Sequence, residues 1–167
     1  MVGGKAKNMS NKKRKVIAET KADRNNNKTV LLGLMERGSR LRLQAVKPTD
    51  FVPDLLRANV DLESVLMTDT ANTYFKIGKD YAYHGVVDHG KKEYGRGYNY
   101  TNGIEGCFSQ FDRMVIGIYH YISPKHIQKY ADEFTFRFNS RKATDLVRFN
   151  TLLSNCNNRL TYNNLIK

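Results

Sequence analysis

Ser64-Val-Leu-Met-Thr-Asp69 is a short apolar run that ends on a carboxylate. Further along, Tyr100-Thr-Asn-Gly-Ile-Glu-Gly-Cys-Phe-Ser109 sets a second carboxylate, Glu105, where an amphipathic helical pattern opens. A strand that delivers Asp69 at its end and a helix that presents Glu105 in its first turn bring acidic groups from different elements toward one place. Two-metal phosphoryl-transfer sites need this placement. Taken alone, the two residues also have plain structural readings, Asp69 as a cap for the following helix and Glu105 as a group at a helix amino terminus. The pairing nevertheless suggests DNA strand cleavage and joining.

Working outward from Asp69, the chain upstream reads as a hairpin. Thr29-Val-Leu-Leu-Gly-Leu-Met-Glu36 and Arg40-Leu-Arg-Leu-Gln-Ala-Val46 flank Arg37-Gly38-Ser39, and the second run alternates apolar and polar. Asp50 to Val60 has helical spacing, with Pro53 tolerated in the first turn. A short helix is expected over Ala71 to Ile77 and a further strand over His84-Gly-Val-Val-Asp88. Beyond Gly103, the residues Ile104, Phe108, Phe111, Val115 and Ile118 recur every three or four positions as one helical stripe, loosened near its end by Gly117. Ser123-Pro124 marks a helix start, and Ile127, Tyr130, Ala131, Phe134 and Phe138 form its buried side. The order hairpin, helix, strand, helix, strand, helix predicts an α/β fold. It corresponds to an RNase H-like mixed sheet flanked by helices, with the first strand missing or incomplete.

Composition narrows the partners. Among 167 residues, 28 Lys and Arg against 16 Asp and Glu give a formal charge of +12, so a long-range partner is polyanionic and nucleic acid comes first. Lys5, Lys12, Lys13 and Arg14 lie in a Gly-, Lys- and Asn-rich stretch over residues 1–28, read either as a DNA-contacting arm or as a solvated loop. Lys91, Lys92 and Arg96, interleaved with the tyrosines of Tyr94-Gly-Arg-Gly-Tyr-Asn-Tyr100, form a second basic segment suited to gripping DNA; the plain alternative is a solvated loop. Lys125 stands at a helix start, where phosphate is favoured. His84 and His89 fall on opposite faces of one strand, against a shared metal site. Cys107 and Cys156 belong to no CxxC pair, and no run approaches the roughly 20 apolar residues of a membrane span. The expectation is a soluble protein of a reducing compartment with no membrane partner.

Several stretches carry a resemblance to a known family. Val2-Gly-Gly-Lys5, Met67-Thr-Asp69, His84-Gly-Val-Val-Asp-His89, Glu93-Tyr94, Thr101-Asn-Gly-Ile-Glu-Gly106, Gly117-Ile-Tyr-His120, Ser123-Pro-Lys-His126, Asp132-Glu-Phe134 and Arg137-Phe-Asn-Ser-Arg141 resemble the ISXO-type insertion-sequence transposases. These are bacterial DDE enzymes with an RNase H-like catalytic domain, related to the eukaryotic Merlin elements. The resemblance covers nearly all of residues 2–149. It implies Asp69 and Glu105 as catalytic metal ligands, with Asn102 as the alternative third residue, and Mg²⁺ or Mn²⁺ as cofactor. It further implies double-stranded DNA of element ends and target as partner, homo-oligomers in the intact enzyme, and a cytoplasmic, nucleoid-associated location.

In that family the first catalytic aspartate precedes the Gly-Gly-Lys motif by a few residues, so an amino-terminally truncated domain is expected. The divisions are a basic loop over 1–28, a catalytic domain over 29–149 and a carboxy-terminal tail over 150–167. Two functions stay open: a transposase domain that cleaves and joins strands, inactive as it stands, or a non-catalytic DNA-binding remnant. The chain departs from the family pattern at Tyr100, at Phe108 where Trp is usual, and at Asp112 where Lys is common. Arg113 next to Asp112 supplies a replacement cation for DNA phosphate.

Overall fold

The computed structural model describes residues 29–47, 50–88, 90, 97–156 and 161–163. The basic stretch over 1–28, with Lys5, Lys12, Lys13 and Arg14, lies outside the described residues, as do Lys91, Lys92, Arg96 and His89.

The hairpin forms as its alternation demands. Strand β1 (Val30–Met35) pairs antiparallel with β2 (Leu41–Val46), in a register running from Val30 opposite Val46 to Met35 opposite Leu41. Gly38, at φ 72°, makes the turn that a side chain would resist. Leu41 and Leu43 point inward and are almost fully buried, while Arg42 between them is exposed.

Helix α1 (Val52–Asn59) carries Pro53 in its first turn, where a missing N–H costs nothing. Strand β3 (Val65–Asp69), helix α2 (Asn72–Ile77) with the 3-10 turn Gly78–Asp80, and strand β4 (Tyr83–Val87) then make one parallel crossover unit. Its register runs from Val65 opposite Tyr83 to Asp69 opposite Val87. Arg57 ties α1 to that 3-10 turn through a 2.7 Å ion pair with Asp80. Among the described residues the strands therefore form two separate two-stranded sheets, one antiparallel and one parallel, rather than one continuous sheet.

Helix α3 (Asn102–Met114) continues into a π turn over Val115–Tyr119, and after the 3-10 turn Pro124–His126 comes helix α4 (Ile127–Asn139). Both lean on the hairpin. Leu41 and Leu43 share one core with Cys107 and Phe111 of α3, Val115 of the π turn, Ile122, and Ile127, Ala131 and Phe134 of α4. Each Leu, Ile, Val and Phe side chain among them contributes about 1.5–3 kcal/mol on burial. Phe111 and Phe134 meet edge to face with centroids 5.5 Å apart. A second cluster, Leu56, Leu66, Ile77 and Tyr81, holds α1 to the crossover unit, and Leu34 of β1 packs against it. That leucine links the two sheets.

Two side chains of α4 do what a neighbouring strand would do for β2. Gln128 accepts from the Ala45 amide at 2.7 Å and donates to the Leu43 carbonyl at 3.1 Å. Asn139, at the other end of the helix, accepts from the Leu41 amide at 2.8 Å and donates to its carbonyl at 2.9 Å. The Leu41 amide and carbonyl, the Leu43 carbonyl and the Ala45 amide on the outer edge of β2 are thereby satisfied.

The structure departs from the sequence reading in three places. Ile118 is not on the buried stripe: it is exposed, and Cys107 is buried in the core instead. The π turn advances each residue through a smaller angle than an α turn, which carries Ile118 outward and leaves Tyr119 packed against the core. Ser123 precedes a 3-10 turn in which its backbone carbonyl, not its hydroxyl, accepts from the His126 amide at 2.9 Å. A further helix, α5 (Asp145–Ser154), runs across the boundary expected at residue 150; the Thr144 hydroxyl accepts from the Val147 amide to cap it.

Candidate active site and DNA interface

Asp69 ends β3 and is exposed. Its Oδ1 accepts from the Ala71 amide at 3.1 Å, which turns the chain into α2. Immediately behind it, the buried Thr68 donates its hydroxyl proton to the Asp69 carbonyl at 2.9 Å and meets His84 Nε2 at 2.8 Å. Burial pushes the His84 imidazole below its ordinary value. Gly78 packs against the same ring, since a Cβ there would fall 1.9 Å from His84 Nδ1. Burial first, and then the charge of Asp69, raise the Tyr74 hydroxyl above its ordinary value.

Glu105 sits one turn into α3 and is exposed. Its amide donates to the Thr101 carbonyl at 3.2 Å, and the buried Thr101 returns its hydroxyl to Glu105 Oε1 at 3.0 Å. Thr101 thus grips both the backbone amide and the carboxylate of Glu105 at the helix start. Asn102, the first residue of α3, is exposed beside it.

Glycines set how closely α3 approaches the hairpin. A Cβ on Gly33 of β1 would meet Phe108 Cζ at 2.6 Å and Ile104 Cδ1 at 2.9 Å, so only hydrogen lets the helix lie this near the strand. The segment leading into α3 spans both sheets. Asn99 Nδ2 donates to the Tyr83 hydroxyl at 3.2 Å on β4, and Gly85 lies under Asn99 Oδ1 and Met67 Sδ. One step on, the Arg37 guanidinium of the hairpin turn stacks on the Tyr100 ring at 4.0 Å and donates to the Tyr98 carbonyl. The approach to Glu105 therefore passes over the strand pair that carries Asp69.

Asp69 and Glu105 supply hard oxygen donors, the chemistry that suits Mg²⁺ or Mn²⁺. Among the described residues no group of three or more His, Cys, Asp or Glu side chains is gathered to hold a metal. His84 is occupied with Thr68.

Of the cations expected to meet DNA, Arg113 is exposed and turns its Nε back to the Ser109 carbonyl at 3.3 Å, next to exposed Asp112. Lys125 is exposed on the 3-10 turn before α4 and lines an open cleft of about 1130 Å³ together with Arg42, Lys47, Gln44, Gln128 and Asp132. Arg42 and Lys47 were missed in the sequence, although the alternation that buries Leu41 and Leu43 already places Arg42 on the solvent side. Tyr98 and Tyr100 are exposed, the former 86% so, leaving ring faces beside Arg37. No helix among the described residues is long and apolar enough to cross a membrane.

This α/β domain sets one acidic residue at the end of a parallel strand and another at a helix start. The chain belongs to the ISXO2-like transposase domain family, whose model matches residues 1–139. The family resemblance read from the sequence is borne out by that match over residues 1–139. Comparisons with curated proteins and with solved structures returned no match.

Proposed function

We propose that this chain supplies the strand-cleaving and strand-joining part of a bacterial insertion-sequence transposase, acting on double-stranded DNA at element ends and target. The fold it would use is RNase H-like, the hairpin and the crossover unit being halves of one mixed sheet. The observation that carries the reading is the arrangement at Asp69 and Glu105. Two exposed carboxylates, each fixed by a short local hydrogen bond, stand on two elements joined by the Asn99–Thr101 segment. Bound Mg²⁺ or Mn²⁺ would activate water or a DNA 3′-hydroxyl for in-line attack and stabilise the charge that develops on phosphate.

The chain's own residues do the rest. Asp69 and Glu105 hold the cations, with Asn102 beside them, and Thr68, His84 and Thr101 keep the two acidic groups in position. Lys125, Arg42, Lys47 and Arg113 neutralise phosphates and fix the register of the duplex.

A Mn²⁺ titration followed by NMR tests this directly, because paramagnetic broadening falls off steeply with distance from the ion. Amide signals of Asp69 to Ala71 and of Asn102 to Glu105 are expected to fade together and first. Asp69→Asn is expected to weaken the effect at both places, and comparison of Asn102→Ala with Glu105→Gln assigns the third ligand. Broadening confined to one of the two segments, or centred elsewhere, overturns the site.

A further inference from the structure

The segment that leads into α3 has a backbone held from two sides and a ring that nothing holds. Gly97, at φ 59°, turns the chain, and Asn99 is drawn inward, donating to the Tyr83 hydroxyl and lying over Gly85. Arg37 of the hairpin turn grips the residues on either side of Asn99. It donates to the Tyr98 carbonyl and lies 4.0 Å from the centre of the Tyr100 ring. Tyr98 nevertheless sets its own ring outward, 86% exposed, and Tyr100 remains 42% exposed. A large ring kept in water by a fixed backbone gives up burial within the fold and is already ordered for a partner.

Chemistry constrains that partner. Arg37 adds a cation to the two rings and, among the described residues, enters none of the ion pairs. Its planar guanidinium carries more N–H donors than the Tyr98 carbonyl takes up, and its fork suits a phosphate. The chain as a whole carries a formal charge of +12, which favours a polyanion over an apolar peptide. Flat rings beside a phosphate-binding cation fit a nucleotide, with the base on a ring and the phosphate on the arginine. Inside a duplex each base is stacked on both faces by its neighbours, so only a base outside the helix can lie on a tyrosine. The place fits as well, because Tyr100 stands just before Asn102, where α3 begins, and α3 carries Glu105 in its first turn.

We propose that Tyr98, with Tyr100 and Arg37, is a stacking platform for an unpaired nucleobase of a DNA strand, taken up at the entry to α3. The inference rests on the reading of this chain as one that acts on DNA. It adds that the strand lying at the site has a base outside the double helix. Stacking needs no metal, so the platform is separable from the chemistry at Asp69 and Glu105.

Fluorescence anisotropy with the full chain, in the absence of divalent cations, tests it on three DNAs. One is a single strand of roughly ten nucleotides, the second a strand of the same length built of abasic sugars, and the third a blunt duplex. The abasic strand keeps the phosphates and lacks the bases. The wild type is expected to bind the base-bearing strand at least about fivefold more tightly than the abasic one. Tyr98→Ala is expected to weaken binding of the base-bearing strand by about fivefold or more, and to leave the abasic strand and the duplex within about twofold of wild type. Tyr98→Phe, which keeps a ring, is expected to bind all three as the wild type does. Equal wild-type affinity for the two single strands, or Tyr98→Ala weakening all three DNAs alike, overturns the platform while the reading of a DNA-acting chain stands. A wild-type chain that binds none of the three overturns both.

Discussion

Thr68 and His84 are locked together one residue behind Asp69. The threonine hydroxyl gives its proton to the Asp69 carbonyl, so at 2.8 Å it accepts one from His84 Nε2. A neutral ring that donates from Nε2 turns Nδ1 toward Gly78, whose missing Cβ lets the ring sit so close. Charging this ring means placing a cation where burial already lowers its basicity.

A pH dependence follows, with a definite sign. Unfolded, His84 takes a proton near the ordinary value of 6.5; folded, it does so only at lower pH. Below about 6.5 the unfolded chain binds more protons than the folded one, so stability falls as pH drops through that window and is constant above it. Urea midpoints between pH 8 and pH 5 are expected to decline, and His84→Gln, which keeps a donor for Thr68, is expected to flatten the decline. A slope identical in wild type and variant removes His84 as its source.

The covered edge of β2 gives a second test. Asn139→Leu leaves the Leu41 amide and carbonyl without their partner, and Gln128→Leu does the same for Ala45 and Leu43. Each is expected to cost about 1 kcal/mol, discounted because water reaches both places, and the pair about 2, since the side chains lie at opposite ends of α4 and share no partner. Chemical denaturation of the two single variants and the double measures it. A double variant no less stable than wild type means that these amides do not hold the edge.

Gly33 decides how α3 meets the hairpin. An alanine there must push against the ends of the Phe108 and Ile104 side chains, which have to shift or carry the helix with them. Gly33→Ala is expected to destabilise by about 1–3 kcal/mol, the range for overpacking. Because the displaced helix carries Glu105, amide shifts at Thr101 to Glu105 are expected to move as well. An alanine variant with wild-type stability and spectrum shows the approach to be looser than described.

Much of this was legible beforehand, for reasons that lie in the patterns. The hairpin, α1, the crossover unit and the α4 stripe followed from alternation, from Pro53 at a helix start and from three- and four-residue spacing. What was not legible was decided by tertiary contact or by winding. Ile118 left the buried side because a π turn cannot be read from apolar spacing. Gln128 and Asn139 look like ordinary polar residues on a helix until a strand edge lies beside them. Helix α5 was passed over because Leu146, Phe149 and Leu153 were too few and too close to the end of the chain to stand out. At the site, Asp69 and Glu105 were legible from their place at element ends, whereas the clamp by Thr101 and the Thr68–His84 pair depended on which side chains the fold brought together.

Binding to duplex DNA is expected to weaken steeply with salt, with a log-log slope of roughly 0.9 per phosphate neutralised. Lys125 and Arg42 line one cleft. Lys125→Gln and Arg42→Gln are each expected to weaken binding evenly across sequences and to reduce that slope by about 1. Fluorescence anisotropy over a salt series measures both. A slope unchanged in both variants removes the cleft from the interface.

Asp69 has both a local role and a proposed catalytic one, and two substitutions separate them. Asn keeps an oxygen to accept from the Ala71 amide, whereas Ala does not. Asp69→Asn is therefore expected to stay within about 0.5 kcal/mol of wild type, and Asp69→Ala to lose about 1 kcal/mol with the turn into α2. Metal binding follows a different order, because the amide lacks the charge that holds a divalent cation. Both variants are expected to lose Mn²⁺ affinity at this site by tenfold or more while keeping DNA affinity, which depends on the basic surface. Calorimetric Mn²⁺ titration, urea denaturation and DNA anisotropy on the same three proteins give the comparison. If Asp69→Asn binds Mn²⁺ as wild type does and only Asp69→Ala differs, through stability, then Asp69 is a turn-forming residue and the metal lies elsewhere.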